Sequence, residues 1–355
     1  MPDVVIGPPS GAGRGERGAG AGADASAAPS ATVPGGADAA SNGGEDHYDA
    51  VVIGAGPGGL SVALNLVRAR RRTLVLDSNR PRNAATLHSH GFLTRDGVSP
   101  LELRKLGRAE IEAYPEGEFQ LALAKSITPA AEGFTVVATG VRGAPNRTVI
   151  TRTVVIATGV VEVMPELPSL RAFYGTTAHS CMECDGYEAR DKPLALIGET
   201  DDLAERALLL AQWSPDIVVF PNGVGTVTDA EEALLADRGI RVERRRVADV
   251  DGDRTGLTGI RLEDGEVVPR SVAFLRPIYQ PSLAFAADLG LDTNDEGFVT
   301  TDAHGRSTLP GVYAAGDSTQ PGPQQLIIAA GAGARVAATV NRDLSLSAIS
   351  APARA

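Results

Sequence analysis

The sequence predicts an α/β protein of two Rossmann-like, three-layer (ββα) domains, the first split around the second. Three observations carry that expectation. A strand, a glycine turn, a helix and a second strand follow one another over residues 48–77. The same order restarts in the middle of the chain, over residues 193–220. From Gly311 the pattern returns to a strand, a loop and a helix. Strands alternating with helices read as βαβ units on a parallel sheet.

Residues 1–46 are Gly, Ala, Ser and Pro with scattered charge. They carry too little apolar surface to offset the entropy of ordering, so they read as a disordered tail. Order is expected from Tyr48. Tyr48 to Ile53 reads as a buried strand, Leu60 to Arg70 as a helix, and Thr73 to Asp77 as the next strand. Ser99-Pro100-Leu101-Glu102 opens a helix to Tyr114, with an N-cap serine, proline at the first helical position and a glutamate to complete a capping box. Strand-like runs follow at Phe119 to Lys125, Phe134 to Ala138 and Thr148 to Ala157.

In the second unit, Pro193 to Ile197 and Asp216 to Phe220 read as strands around a helix from Leu203 to Trp213. A helix over Asp229 to Asp237 and a strand over Arg241 to Val247 follow. Ile260 to Leu262 and Val267 to Phe274 flank Asp264-Gly265, a hairpin signal. The last helix is expected over Gln325 to Asn341, with a short tail over 346–355.

The net charge of -11 argues against nucleic acid and anionic membranes, which reward positive surfaces. No apolar run reaches the roughly 20 residues that span a bilayer. The N-terminus lacks the basic patch and apolar stretch of a signal peptide. The two cysteines lie in one C-x-x-C with no wider disulfide framework, which fits a reducing cytoplasm.

Four constellations carry chemistry. The first is Gly54-Ala55-Gly56-Pro57-Gly58-Gly59, between a strand and a helix. Glycines there permit a tight turn and let the backbone approach a pyrophosphate at the helix N-terminus. Asp77 ends the next strand, where a carboxylate accepts hydrogen bonds from ribose hydroxyls. The second is the buried run ending in Ala157-Thr158-Gly159, which alone reads as an ordinary core strand. The third is Cys181-Met182-Glu183-Cys184-Asp185. Its thiols are within disulfide reach, and Asp185 can carry a proton for them. The rivals are an inert buried pair and a zinc site. Zinc wants four ligands, and only His179 or Asp185 is near enough in sequence to help. The fourth is Gly316-Asp317, then Gln324-Gln325 at a helix start. Asp317 can bond cofactor hydroxyls, and the helix end can stabilise negative charge.

In this order, GAGPGG, the ATG strand, CxxCDG and GVYAAGD resemble the low-molecular-weight, bacterial type of thioredoxin reductase, from Tyr48 to Asn341. That resemblance implies an FAD domain over residues 47–163 and 284–345, split around an NADPH-type insert over 164–283 that carries the C-x-x-C. It further implies that Cys184 faces the flavin, that Cys181 exchanges with the substrate thiol, that Asp185 is the acid/base, and that the protein is a homodimer.

The insert departs from that family. Its dinucleotide loop reads Gly198-Glu199-Thr200-Asp201-Asp202-Leu203, and like charge facing a pyrophosphate costs on the order of a few kcal/mol. After the next strand, Phe220-Pro221-Asn222-Gly223 holds no cation for a 2′-phosphate, while Arg244, Arg245 and Arg246 read as solvated surface. FAD is therefore expected and NADPH is in doubt. This pattern resembles the dithiol oxidases that close disulfides in small natural products, the gliotoxin and holomycin type. So does the segment Arg82-Asn83, His88, His90-Gly91-Phe92 and Arg95-Asp96-Gly97, where Asn83 and His90 are expected near the flavin. Asp185 departs from the histidine that some of those oxidases have. The expectation is an FAD-dependent thiol-disulfide oxidoreductase that oxidises a small-molecule dithiol with O2 as acceptor. The alternatives are a thioredoxin reductase with a thioredoxin-like partner and a non-catalytic flavin redox sensor.

Overall fold

The computed structural model describes residues 47–319 and 322–350; the tail over 1–46 and residues 351–355 lie outside the described residues. The chain opens with β1 (His47–Ile53), α1 (Pro57–Arg68) and β2 (Thr73–Asp77). The helix starts on the glycine turn with Pro57 in its first turn and stops before Arg70, which adopts a left-handed backbone (φ 60°). Next come α2 (Pro100–Glu112), β3 (Gly117–Ala130), β4 (Gly133–Gly140) and β5 (Arg147–Ile156). Ser99 Oγ accepts from Glu102 N at 3.2 Å, but the Glu102 carboxylate turns to Lys105 rather than back to the cap, so the expected capping box is half made.

A short β6 (Val160–Val163) leads to the second unit. It holds β7 (Ala178–His179), α3 (Met182–Asp185), β8 (Leu194–Gly198), α4 (Leu203–Leu210), β9 (Ile217–Phe220), α5 (Asp229–Ala236) and β10 (Arg241–Val242). Then follow β11 (Val247–Asp253), β12 (Gly256–Leu262), β13 (Val267–Pro269) and β14 (Val272–Arg276). The chain returns through β15 (Ile278–Pro281), paired antiparallel with β6, to β16 (Val312–Ala314) and α6 (Leu326–Ser350).

Two sheets organise these elements. In the first, β16, β5, β1, β2 and the start of β3 run parallel, while the rest of β3 turns away to pair antiparallel with β4, and β4 with β5. Strand alternation then fills two cores. Val51, Ile53, Leu74 and Leu76 face the antiparallel layer, with Ile127, Phe134 and Val136. Ala50, Val52 and Val75 face α1, α2 and α6, with Leu66, Ile111 and Val340. This is why the strands read as continuous apolar runs: both faces are covered.

The second sheet is parallel, in the order β10-β9-β8-β14-β7. One face packs on the β11–β12–β13 meander through Ile197, Phe220 and Ile260, the other on α4 and α5 through Leu196, Val219 and Leu235. Two expected strands break here. Arg241 to Val247 divides between β10 and β11, and Val267 to Phe274 divides between the hairpin strand β13 and the parallel strand β14. In each case one run of sequence serves two layers. The hairpin at Asp264-Gly265 forms as expected, with Gly265 left-handed at φ 89°. The last helix runs past Asn341 to Ser350, into the expected tail. Among the described residues no helix is long and apolar enough to cross a membrane.

Candidate active site

In a parallel α/β sheet, ligands bind beyond the carboxyl ends of the strands where the order reverses. In the first sheet that point lies between β1 and β5. The glycine turn leaves β1 there, and Ala157-Thr158-Gly159 leaves β5 beside it. Gly54 has φ 105°, and a Cβ on it would lie 2.4 Å from Ala157 O; one on Gly59 would lie 1.9 Å from Gly54 O. These glycines pack the turn. Gly56 is different: a Cβ there meets nothing within 4 Å, so the turn is open where a cofactor's phosphates would approach. Gly58 lies close to Gly316 and Ala329, which brings the fourth constellation to the first.

Asp77 is buried. Its Oδ1 accepts from Ala55 N at 3.1 Å, and its Oδ2 accepts from Asn79 N and from the Arg104 guanidinium. Arg104 also donates to Ala55 O and Asn79 Oδ1. The carboxylate expected at a ribose thus also ties the glycine turn to α2. Arg104 was not legible in the sequence, because nothing distinguishes it from Arg108 on the same helix.

Thr158 Oγ1 and Gln324 Nε2 are buried with no hydrogen-bond partner among the described residues. Such orphans are costly unless a ligand satisfies them. With the open Gly56, they fit FAD. Asp317, next to left-handed Gly316, pairs with Arg82 at 3.1 Å, and Arg82 pairs with Glu162 at 2.8 Å. Burial pushes the Asp317 carboxyl up, and Arg82 does not fully offset it. Glu162 also accepts from Ser180 Oγ at 2.8 Å and from the Tyr174 hydroxyl. A chain of polar contacts therefore runs from Asp317 through Arg82 and Glu162 to Ser180, the residue before Cys181. Glu162 and Tyr174 gave no sequence signal. Asn83 sits half-buried in a single 3-10 turn beside Arg82, and Gln325 immediately precedes α6.

Cys181 and Cys184 are joined as a disulfide, with Cα atoms 5.3 Å apart. Cys181 caps α3, and Asp185 N donates to Cys181 O at 3.2 Å. Asp185 Oδ1 lies 3.2 Å from His179 Nδ1, so the two residues weighed as zinc ligands pair with each other. Among the described residues, no three His, Cys, Asp or Glu side chains cluster as metal ligands. His90 lies 3.5 Å from Asp96 and 3.8 Å from Glu188, which brings its loop against the segment after the disulfide. His88 is exposed and bonds Gly97 O.

The second sheet reverses order between β8 and β14, and the loop carboxylates there are partnered from within the chain. Arg276, which ends β14, donates from Nε to Asp202 Oδ2 at 2.8 Å. Thr200 Oγ1 donates to Asp202 Oδ1 at 2.6 Å, and Asn222 Nδ2 donates to Glu199 Oε1 at 2.7 Å. The loop's carboxylates are thus not a bare cluster, as the sequence suggested: two are partnered and Asp201 points to solvent. Arg244 and Arg245 are exposed and spent on Glu232, Glu243, Asp264 and Glu266. Arg246 is exposed too, yet it lies against Gly223, so the loop after β9 does have a cation beside it.

A family model described as pyridine nucleotide-disulphide oxidoreductase matches residues 48–333. The chain is 30% identical over 309 residues to thioredoxin reductase sirT of Leptosphaeria maculans, covering 83% of this chain and 93% of that protein. It is 28% identical over 308 residues to a thioredoxin reductase of Streptomyces coelicolor, covering 82% and 92%. The crystal structure of HlmI superposes with a TM-score of 0.79 at 35% identity, covering 86% of this chain and 94% of that one.

Proposed function

We propose that this chain, which belongs to the pyridine nucleotide-disulphide oxidoreductase family of FAD-dependent enzymes, is a dithiol oxidase. A substrate thiolate attacks one sulfur of the Cys181–Cys184 disulfide, and the second substrate thiol resolves the mixed disulfide. The substrate leaves as a disulfide and the two cysteines as thiols, so two electrons and two protons enter the protein. Bound FAD supplies a two-electron acceptor that O2 can reoxidise, giving hydrogen peroxide. Cys181 is the sulfur that meets substrate, since it lines a cleft of about 240 Å³ that Cys184 does not line. Asp185, 3.2 Å from His179 Nδ1, takes up a thiol proton in this reading. Gly56, Thr158 and Gln324 would hold the cofactor, with Asp317, Gly316 and Gln325 beside them.

The observation that carries this reading is the Arg276–Asp202 pair, which puts a partnered carboxylate on the loop after β8, where the pyrophosphate of a nicotinamide nucleotide would dock. The test is stoichiometric: with a dithiol in air, each disulfide formed yields one hydrogen peroxide, and catalase returns half the oxygen. Disulfide formation without peroxide would overturn the oxidase reading. A second reading, thioredoxin reductase, draws on the names of the relatives and on Arg246 beside the loop after β9. It requires NADPH-driven reduction of a thioredoxin-like protein.

A further inference from the structure

The cleft beside Cys181 holds two cations that the redox chemistry does not use. Its wall includes Arg206 on α4, Arg276 at the end of β14, Tyr279 and Gln324. The two guanidinia share one carboxylate. Asp202 takes the Arg276 Nε bond at 2.8 Å and lies 3.8 Å from Arg206. Arg206 Nε is buried with no hydrogen-bond partner among the described residues. Burial and the neighbouring Arg276 charge both press on the Arg206 guanidinium and hold it below its ordinary value. The other carboxylate of the cleft, Glu183, is exposed and lies 3.8 Å from Cys181 Sγ, at the sulfur end. The two guanidinia therefore share one paired carboxylate, Asp202, with the charge of Glu183 also acting on Arg206 from the sulfur end, and one buried donor is unspent.

A guanidinium is a planar fork that matches a carboxylate, and an anion entering between the two would relieve the repulsion between the two cations. We propose that Arg206 and Arg276 form an anion subsite, and that the dithiol substrate carries a carboxylate that docks there while its sulfurs reach Cys181. The inference rests on the dithiol-oxidase reading and adds the substrate class. It also gives a use to the second crevice: its cations face the cleft of the reactive sulfur.

The test uses the full-length, FAD-loaded protein and two pairs of probes that differ only in charge. Binding is read first, by calorimetry, with lipoate against lipoamide, neither of which can reduce the protein. Lipoate is expected to bind at least about tenfold more tightly, a difference of ~1.4 kcal/mol. Arg206→Gln should bring that ratio close to one, and Arg206→Lys, which keeps the charge, should retain part of it. Anaerobic flavin bleaching by dihydrolipoate against dihydrolipoamide should show the same preference in its second-order rate. Equal binding of the two probes, no binding at millimolar concentration, or a preference that survives Arg206→Gln would overturn the subsite. If the binding preference is present and neither dithiol bleaches the flavin, the subsite stands and the oxidase reading fails.

Discussion

Arg276 Nε donates to Asp202 Oδ2 at 2.8 Å, joining the end of β14 to the loop after β8 across the point where the second sheet reverses its strand order. The pair brings together residues far apart in the chain, in the crevice where such folds usually hold a nucleotide. Burial pushes the Asp202 carboxyl up. The Thr200 hydrogen bond and the charges of Arg276 and Arg206 outweigh burial and hold it below the usual carboxylate range.

Asp202→Asn should therefore destabilise the protein by about 1 kcal/mol at pH 7, because the carboxylate is a third exposed and partly screened. The sign of the pH dependence follows from the lowered folded-state value. The contribution is complete above the unfolded value near ~4 and is lost as pH falls through the folded value. Thermal melts of variant and wild type should differ at neutral pH and converge on acidification below pH ~4.

Two glycines of one turn should behave in opposite ways. A methyl on Gly59 would overlap Gly54 O at 1.9 Å, so Gly59→Ala should cost more than about 3 kcal/mol. Gly56 faces open space, so Gly56→Ala should leave the apoprotein's stability within about 1 kcal/mol. It should nevertheless weaken FAD retention, read as the ratio of absorbance at 450 nm to 280 nm.

Asp317 reverses the sign of the Asp202 argument. Burial raises its carboxyl, so ionising it in the fold costs stability once pH rises past the unfolded value near ~4. Asp317→Asn should raise the melting temperature of the apoprotein at pH 7, with no gain below pH ~4, while FAD affinity falls. Melts of apoprotein and holoprotein across pH separate the two effects.

Serine at either cysteine should lower dithiol-dependent oxygen uptake by at least about a thousandfold, since each sulfur is needed to close the disulfide. FAD content should be unchanged, because the cradle is built on the first sheet.

Much of this was legible in the sequence because the turn chemistry and strand runs are local. Tyr48 to Asp77, with its glycines and Asp77, folds as its pattern dictates, and Thr158 and Gly316 lie beside that turn. What could not be read is long-range. Arg104 reaches Asp77 from α2, and Glu162 gathers Arg82, Tyr174 and Ser180 through contacts that leave no periodic trace. The three carboxylates at Glu199 to Asp202 suggested repulsion, but Asn222, from the turn after β9, hydrogen-bonds Glu199, and Arg276, at the end of β14, pairs with Asp202. One signal was available: Arg276 is a charged residue directly after the buried run Val272 to Leu275, an unusual place for a cation unless a partner waits there.

The central claim is that electrons enter through the dithiol and not through a nicotinamide. The most direct measurement mixes the FAD-loaded protein anaerobically with dihydrolipoate in one syringe and NADPH in another, and follows absorbance at 450 nm. Full bleaching by the dithiol is expected within seconds to minutes, and none by millimolar NADPH over the same interval. Rapid, saturable bleaching by NADPH would contradict that claim.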